Sequence, residues 1–139
     1  MKKLVILFIA VIFIVIISCN KRENNIIELT VKGNFPTRGK AIIHLYGYDK
    51  NIPDETTALI TIKKIDINEN PLYLQLKFPK DAYETINSSQ SRKEDIEFFI
   101  TVDLDINEDE DIDYTQDFGG ETLLRVTPGT KKEVYVKKI

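Results

Sequence analysis

Pro71-Leu72-Tyr73-Leu74-Gln75-Leu76-Lys77-Phe78 alternates apolar and polar residues without a break. Leu72, Leu74, Leu76 and Phe78 fall on one phase; Tyr73, Gln75 and Lys77 fall on the other. A period of two sends successive side chains to opposite faces of an extended chain, so the segment predicts a strand with one buried face. Pro71 and Pro79 bound it, because proline cannot donate to a ladder. The same pattern recurs downstream, where Ile96, Phe98, Ile100, Val102 and Leu104 alternate with Glu97, Phe99, Thr101 and Asp103. Upstream, Ile27, Leu29 and Val31 alternate with Glu28, Thr30 and Lys32 until Gly33 and Pro36 close the segment. Ala41, Ile43 and Leu45 alternate with Ile42, His44 and Tyr46, an apolar run suited to a strand covered on both sides. Ala58–Ile62, Tyr114–Phe118, Thr122–Val126 and Glu133–Ile139 read as further strands. Turns are expected at Pro53-Asp54-Glu55, Asn68-Glu69-Asn70-Pro71 and Thr127-Pro128-Gly129-Thr130, with a helical turn over Asp81–Ile86 and a Ser-rich loop over Asn87–Lys93. Seven or eight short strands predict an all-β fold, a compact antiparallel β-sandwich spanning residues 26–139.

The chain before that domain reads as an address. Met1-Lys2-Lys3 precedes fourteen uncharged apolar residues, Leu4–Ile17, the charged and apolar regions of a secretory signal. A helix of that length rises about 21 Å, short of the roughly 30 Å hydrocarbon core, which disfavours a permanent span. Ile16-Ile17-Ser18-Cys19 resembles the bacterial lipobox. That resemblance implies cleavage between Ser18 and Cys19, diacylglycerol on the Cys19 sulfur and an acylated new amino terminus (the usual chain being palmitate). Residues 1–18 are then a signal peptide, and 19–25 a lipid-anchored tether whose six residues after Cys19 reach at most about 20 Å. Each buried methylene contributes roughly 0.8 kcal/mol, so two or three acyl chains hold such a protein to its membrane. Asn20 stands where many bacteria with two membranes use Asp to retain a lipoprotein in the inner one. The expected location is therefore the cell envelope, at the outer membrane.

Composition excludes several function classes. The 139 residues carry 19 basic and 22 acidic side chains; loss of Lys2 and Lys3 with the signal leaves 17 against 22, a net charge of −5. No basic face is available to neutralise phosphates, so no nucleic-acid partner is expected. The single Cys lies in the leader, which argues against a thiol protease and against disulfides in the body.

The Pro-Leu pair opening Leu72–Phe78, the short turn near Ile86 and the alternation Ile96–Val102 resemble the YbaY-type lipoprotein family. That family includes the YscW-type lipoprotein chaperones (pilotins) of type III secretion. Leu29-Thr30-Val31-Lys32-Gly33, Ala41–Leu45, Thr127-Pro128-Gly129 and Val134–Val136 fit its two ends. The resemblance covers residues 26–139 through strand pattern rather than a chemical signature. It implies a compact β-sandwich presented from a lipid anchor. Leu45-Tyr46-Gly47-Tyr48-Asp49 departs from the acidic residue that usually follows the family's second strand, and the acidic hairpin is longer than usual. No individual partner-binding residue is carried over.

Seven carboxylates crowd Asp103–Asp113. Asp103-x-Asp105-x-Asn107 imitates the start of a calcium loop, but Glu108 stands where Gly is needed and Tyr114 where a bidentate Glu belongs. Asp103, Asp105, Asn107 and Asp109 remain marginal metal candidates; a solvated hairpin that discourages edge pairing is the expected state. His44 has no spaced His, Cys or H-E-x-x-H partner and reads as a half-buried structural residue. Ser88, Ser89 and Ser91 lack a nucleophile elbow. Gly119-Gly120 precedes a strand rather than a helix, which makes it a turn and not a phosphate cradle. Tyr46, Tyr48 and Tyr73 lie on or beside strands; core packing is their ordinary role, and on one shared face they would suit a carbohydrate or an apolar helix of a partner. No catalytic set and no cofactor is expected. The expected function is non-enzymatic: binding or chaperoning another envelope protein, in a pilotin-like way. The alternative is a carbohydrate- or solute-binding surface lipoprotein.

Overall fold

Both long alternating segments form strands with their apolar phases inward. The computed structural model describes residues 25–52, 57–86, 92–113, 116–120 and 123–139. In chain order its strands are β1 (Ile26–Lys32), β2 (Lys40–Asp49), β3 (Ala58–Asp66), β4 (Leu72–Lys77), β5 (Ile96–Asp105), β6 (Phe118–Gly120), β7 (Leu124–Val126) and β8 (Lys131–Lys138). A one-turn helix α1 (Ala82–Thr85) and a 3-10 turn at Lys93–Asp95 lie between β4 and β5. All-β architecture follows directly from the period-two pattern.

The strands form one sheet in the order β3-β2-β5-β6-β8-β1-β4, with β7 pairing β5 beside that path. It curls until its edges nearly meet: the Lys63 ammonium on edge strand β3 donates to the Gln75 carbonyl on edge strand β4 at 2.5 Å. That bridge caps an edge that would otherwise invite another strand. Two layers result, β3-β2-β5 with β7 and β4-β1-β8, joined through β6, which pairs Leu104 of β5 on one side and Lys138 of β8 on the other. Every pairing is antiparallel except β1 with β8, where Val31 aligns with Val134 in a parallel ladder. Parallel neighbours need a long crossover, and here almost the whole domain separates the two strands in sequence.

Between the layers, Ile27, Leu29 and Val31 of β1, Leu72, Leu74 and Leu76 of β4, and Val134 and Val136 of β8 meet Ile43 and Leu45 of β2 and Phe98, Ile100, Val102 and Leu104 of β5. Full burial contributes roughly 1.5–3 kcal/mol for each such side chain, which makes this core the main source of stability. Phe78 stands edge-on to Phe98 with centroids 4.8 Å apart, and Tyr83 of α1 packs against the same ring at 5.1 Å. Gly47 makes room for this cluster, since a Cβ there would lie 2.5 Å from Ile86 Cδ1 and 3.0 Å from the Phe98 ring.

Three expectations change. The Ala41–Leu45 strand is not covered on both sides: outside, Ile42 is buried while His44, Tyr46 and Tyr48 are half-exposed. Gly119-Gly120 is not a turn but part of β6; a Cβ on Gly120 would sit 3.2 Å from the Val102 carbonyl oxygen, so the bare backbone permits the close approach of strands. The strand expected at Tyr114–Phe118 begins only at Phe118, because Asp117 points inward to hold the hairpin. Tyr114, Pro53-Asp54-Glu55, Ser88, Ser89, Ser91 and residues 1–24, with Ser18 and Cys19, lie outside the described residues.

Candidate partner-binding face

The site is built by the phase of β2 and β5 that the core does not use. Because β2 and β5 pair antiparallel with Tyr46 opposite Phe99 and Tyr48 opposite Glu97, their outward side chains form cross-strand neighbours. The His44 and Tyr46 rings stack with centroids 5.8 Å apart, Tyr46 stacks on Phe99 at 5.3 Å, and Tyr48 meets Phe99 edge-on at 6.1 Å. Flanking strands extend the patch. Leu59 of β3 aligns with Tyr46, Ile62 with His44, and Arg125 of β7 with Phe99. Leu59 is 45% exposed, Ile62 48% and Leu123, just before β7, 62%. A contiguous apolar patch on an outer sheet face is what a macromolecular contact surface looks like, whereas single exposed apolar residues are ordinary.

One polar network borders the rings. The Tyr48 hydroxyl donates to Glu97 Oε2 at 2.8 Å, and an Arg125 guanidinium nitrogen donates to the same oxygen at 2.5 Å. The bond to Glu97, followed by burial, pushes the Tyr48 phenol above its ordinary value, while Arg125 pulls the other way. A depression of about 360 Å³ opens over Tyr48, Phe99, Leu123 and Arg125, and a second of about 440 Å³ over His44, Tyr46, Asp103 and Leu123. In the second, Thr101 Oγ1 lies 3.4 Å and Asp103 Oδ2 3.9 Å from His44 Nδ1. Burial raises the Asp103 carboxyl above the ordinary carboxylate value, and His44 opposes that rise. The arrangement offers ring faces, a bordering guanidinium and apolar side chains. It is equipped to bind.

Tyr46 and Tyr48 therefore share a face, and they share it with Phe99 rather than with Tyr73. Tyr73 projects from β4 on the other layer and is 65% exposed. His44 is half-buried in mid-strand. The calcium candidates do not converge. Asp103 faces His44; Asp105 is buried and accepts from the Glu108 and Glu110 amides at 2.7 and 3.1 Å. Asn107 Nδ2 donates to Asp109 at 2.6 Å. Those bonds hold Glu108 and Glu110 at φ of 59° and 71°. Asp117, fully buried, accepts from the Ile106 and Asp113 amides, both at 2.8 Å. No group of three or more His, Cys, Asp or Glu placed to hold a metal occurs among the described residues. Sequence reading missed Phe99 and Asp117. The signal for Phe99 was an aromatic ring in an otherwise polar phase, opposite the phase that holds Phe98.

This geometry defines an all-β sheet curled into two layers, with ion pairs across the strands of one outer face and stacked aromatic rings on the other. The fold is similar to a solved alternative pilotin from the type II secretion system of Vibrio cholerae, with a TM-score of 0.52, 14% sequence identity, and coverage of 82% of this chain and 96% of that one. At that identity the likeness is one of fold. No protein-family profile matches the chain. No curated protein matches it either.

Proposed function

We propose that this protein is a lipid-anchored, non-enzymatic envelope lipoprotein that binds another envelope protein in a pilotin-like way, with the outer face of β2 and β5 as its docking surface. In this reading Cys19 carries the acyl chains, the partner's apolar segment seats on Tyr46, Phe99, Leu59 and Ile62, and the anchor carries the pair to the outer membrane. One observation carries the reading: strands of a fold shared with a pilotin put stacked aromatic rings on the side facing away from the core. The YbaY-type resemblance of residues 26–139 supports the same role, and a secretion-system protein is the partner it suggests.

Replacing Tyr46 by a photo-crosslinking residue in the intact cell tests it. Crosslinking to one envelope protein, lost on Phe99→Ser and retained on Tyr73→Ser, is the expected result; equal labelling in both variants removes the face from the proposal. Cys19→Ala tests the anchor, and unchanged membrane retention without acyl label would remove the lipoprotein reading. The second reading is a carbohydrate-binding lipoprotein, favoured by the ring faces beside Arg125 and Glu97. Retardation of the protein in polysaccharide gels, abolished by Phe99→Ser, would replace the first reading with the second.

A further inference from the structure

The end of the domain where the chain enters from its tether carries a cleft that the docking face does not use. Asn25 lines it, immediately before β1, and its carbonyl accepts from the Phe78 amide at 2.7 Å, so the entering chain is fixed to the rim. The cleft measures about 580 Å³ and is bordered by Phe78, Lys80, Tyr83, Lys93 and Pro128, with no carboxylate among the described residues of its lining. The Lys93 ammonium lies 5.3 Å from the centroid of the Tyr83 ring. Neither Lys80 nor Lys93 has a carboxylate within 4 Å among the described residues, whereas Lys32, Lys40, Lys50, Lys64 and Lys131 each have one. Two cations without a carboxylate partner among the described residues thus converge on a cleft whose described lining holds no acid, in a chain with more acidic than basic residues. The acid-rich hairpin is at the far end: Lys40, where β2 starts, aligns with Asp105, whereas Asp49 aligns with Ile96 near α1.

We propose that this cleft is a membrane-facing site for the phosphate of an anionic phospholipid headgroup, resting on the reading of Cys19 as the lipid anchor. Six residues separate Cys19 from β1, so the cleft stays within about 20 Å of the bilayer surface. The two ammoniums meet the phosphate, the Tyr83 ring lies at the interface, where aromatic side chains are favoured, and the acidic hairpin points away from the like-charged lipid. Each lysine near an anionic surface favours contact about fivefold, within a Debye length. The anchor then sets distance and the cleft sets orientation.

Hydrogen exchange on the full acylated protein, in phosphatidylcholine vesicles with and without phosphatidylglycerol, tests this. The segments around Lys80–Tyr83 and Pro128–Gly129 should exchange severalfold more slowly with phosphatidylglycerol present, and the β3 face should not change. Lys80→Gln combined with Lys93→Gln should abolish the difference, while Lys40→Gln combined with Lys138→Gln, an equal charge loss at the far end, should leave it. Equal exchange in both vesicles, or an effect surviving the double variant, overturns the cleft. An effect reproduced by inorganic phosphate in detergent, but absent with phosphatidylglycerol, overturns the lipid as its source. The acyl mass on Cys19 separates the two layers of the proposal: acylated protein without lipid-dependent protection sinks the cleft alone, and absence of the acyl group sinks both.

Discussion

The two layers of this sheet bury the same kind of inner face and present unlike outer ones. On β1, β4 and β8 the outward residues include Glu28, Thr30, Lys32, Gln75, Lys77, Lys131 and Glu133, and their charges pair across strands. Lys32 Nζ meets Glu133 Oε1 at 2.6 Å, and Lys131 Nζ meets Glu28 Oε2 at 2.7 Å. On β3, β2 and β5 the same positions hold Leu59, Ile62, His44, Tyr46, Tyr48 and Phe99. Exposed ion pairs contribute little stability, and neither do exposed rings. Folding alone required no such difference between the layers, since both bury the same kind of inner face.

The largest effect should come from the inner faces, where the layers are alike. Leu74 and Phe98 are each 3% exposed, from opposite layers. Truncating either to Ala should cost about 2–5 kcal/mol in a chemical melt, as lost transfer energy and a residual cavity predict. A loss below about 0.5 kcal/mol for one of them would mean that the two inner faces are not equivalent. Next comes the seam. Asp117 accepts two backbone amides just before β6, the strand that joins the layers, and its own carbonyl accepts from the Ile139 amide at 3.2 Å. Asp117→Ala should cost about 1–3 kcal/mol, because two buried donors lose their acceptor. Millimolar calcium should raise the melting temperature no more than ionic-strength-matched sodium does, since Asp105 and Asp117 already hold backbone amides. A calcium-specific rise would make the hairpin a metal site.

The outer faces should separate next. Phe99→Ser is expected to weaken partner binding tenfold or more, about 1.4 kcal/mol or above, the size seen for aromatic anchors at interface centres. Tyr135→Ser on the other layer, where Lys32 Nζ lies 5.9 Å from the ring centroid, should leave binding unchanged. Equal losses in titration calorimetry with the captured partner would erase the distinction between the faces.

The inner faces were legible in the sequence, because a strand with one buried side writes a period of two. Leu72–Phe78 and Ile96–Leu104 gave strand, boundary and orientation together. Neighbour relations were not legible: no local pattern says that β1 lies parallel to β8, since pairing depends on contacts between the chain's ends. The outer face was half legible. Tyr46 and Tyr48 share a phase within one strand, but Phe99 joins them only through the register of β2 on β5. Tyr73 matched them in residue type and not in place. Gly119-Gly120 misled because diglycine marks a turn locally, whereas here it lets β6 approach β5. Asp105 looked like part of a solvated acidic run and Asp117 like one residue of a strand; burial, which sequence does not carry, separates them from Glu108, Asp109, Glu110 and Asp111.

The smallest effect concerns the border of the aromatic face, at Asp103. Burial raises this carboxyl in the folded state, and the His44 imidazole nearby only partly opposes it. A raised carboxyl means that the folded protein holds the proton more tightly than the unfolded chain does. Its contribution is therefore most favourable below the unfolded value of about 3.9 and falls as pH rises through the folded one. At neutral pH the ionised group costs stability, and Asp103→Asn removes that cost while keeping the shape. The variant should melt about 1–2 °C higher than the parent at neutral pH, with the gain shrinking as acid protonates Asp103 in the parent. In a His44→Gln background the gain should grow, because the one opposing group is gone. The charged layer supplies the control: the Lys32 ammonium holds the Glu133 carboxyl below its ordinary value, outweighing the upward push of burial, so Glu133→Gln should lower the melting temperature or leave it unchanged. If Asp103→Asn instead melts lower at neutral pH, the ionised form is being held by the face, and the border of the aromatic patch is built like the charged layer after all.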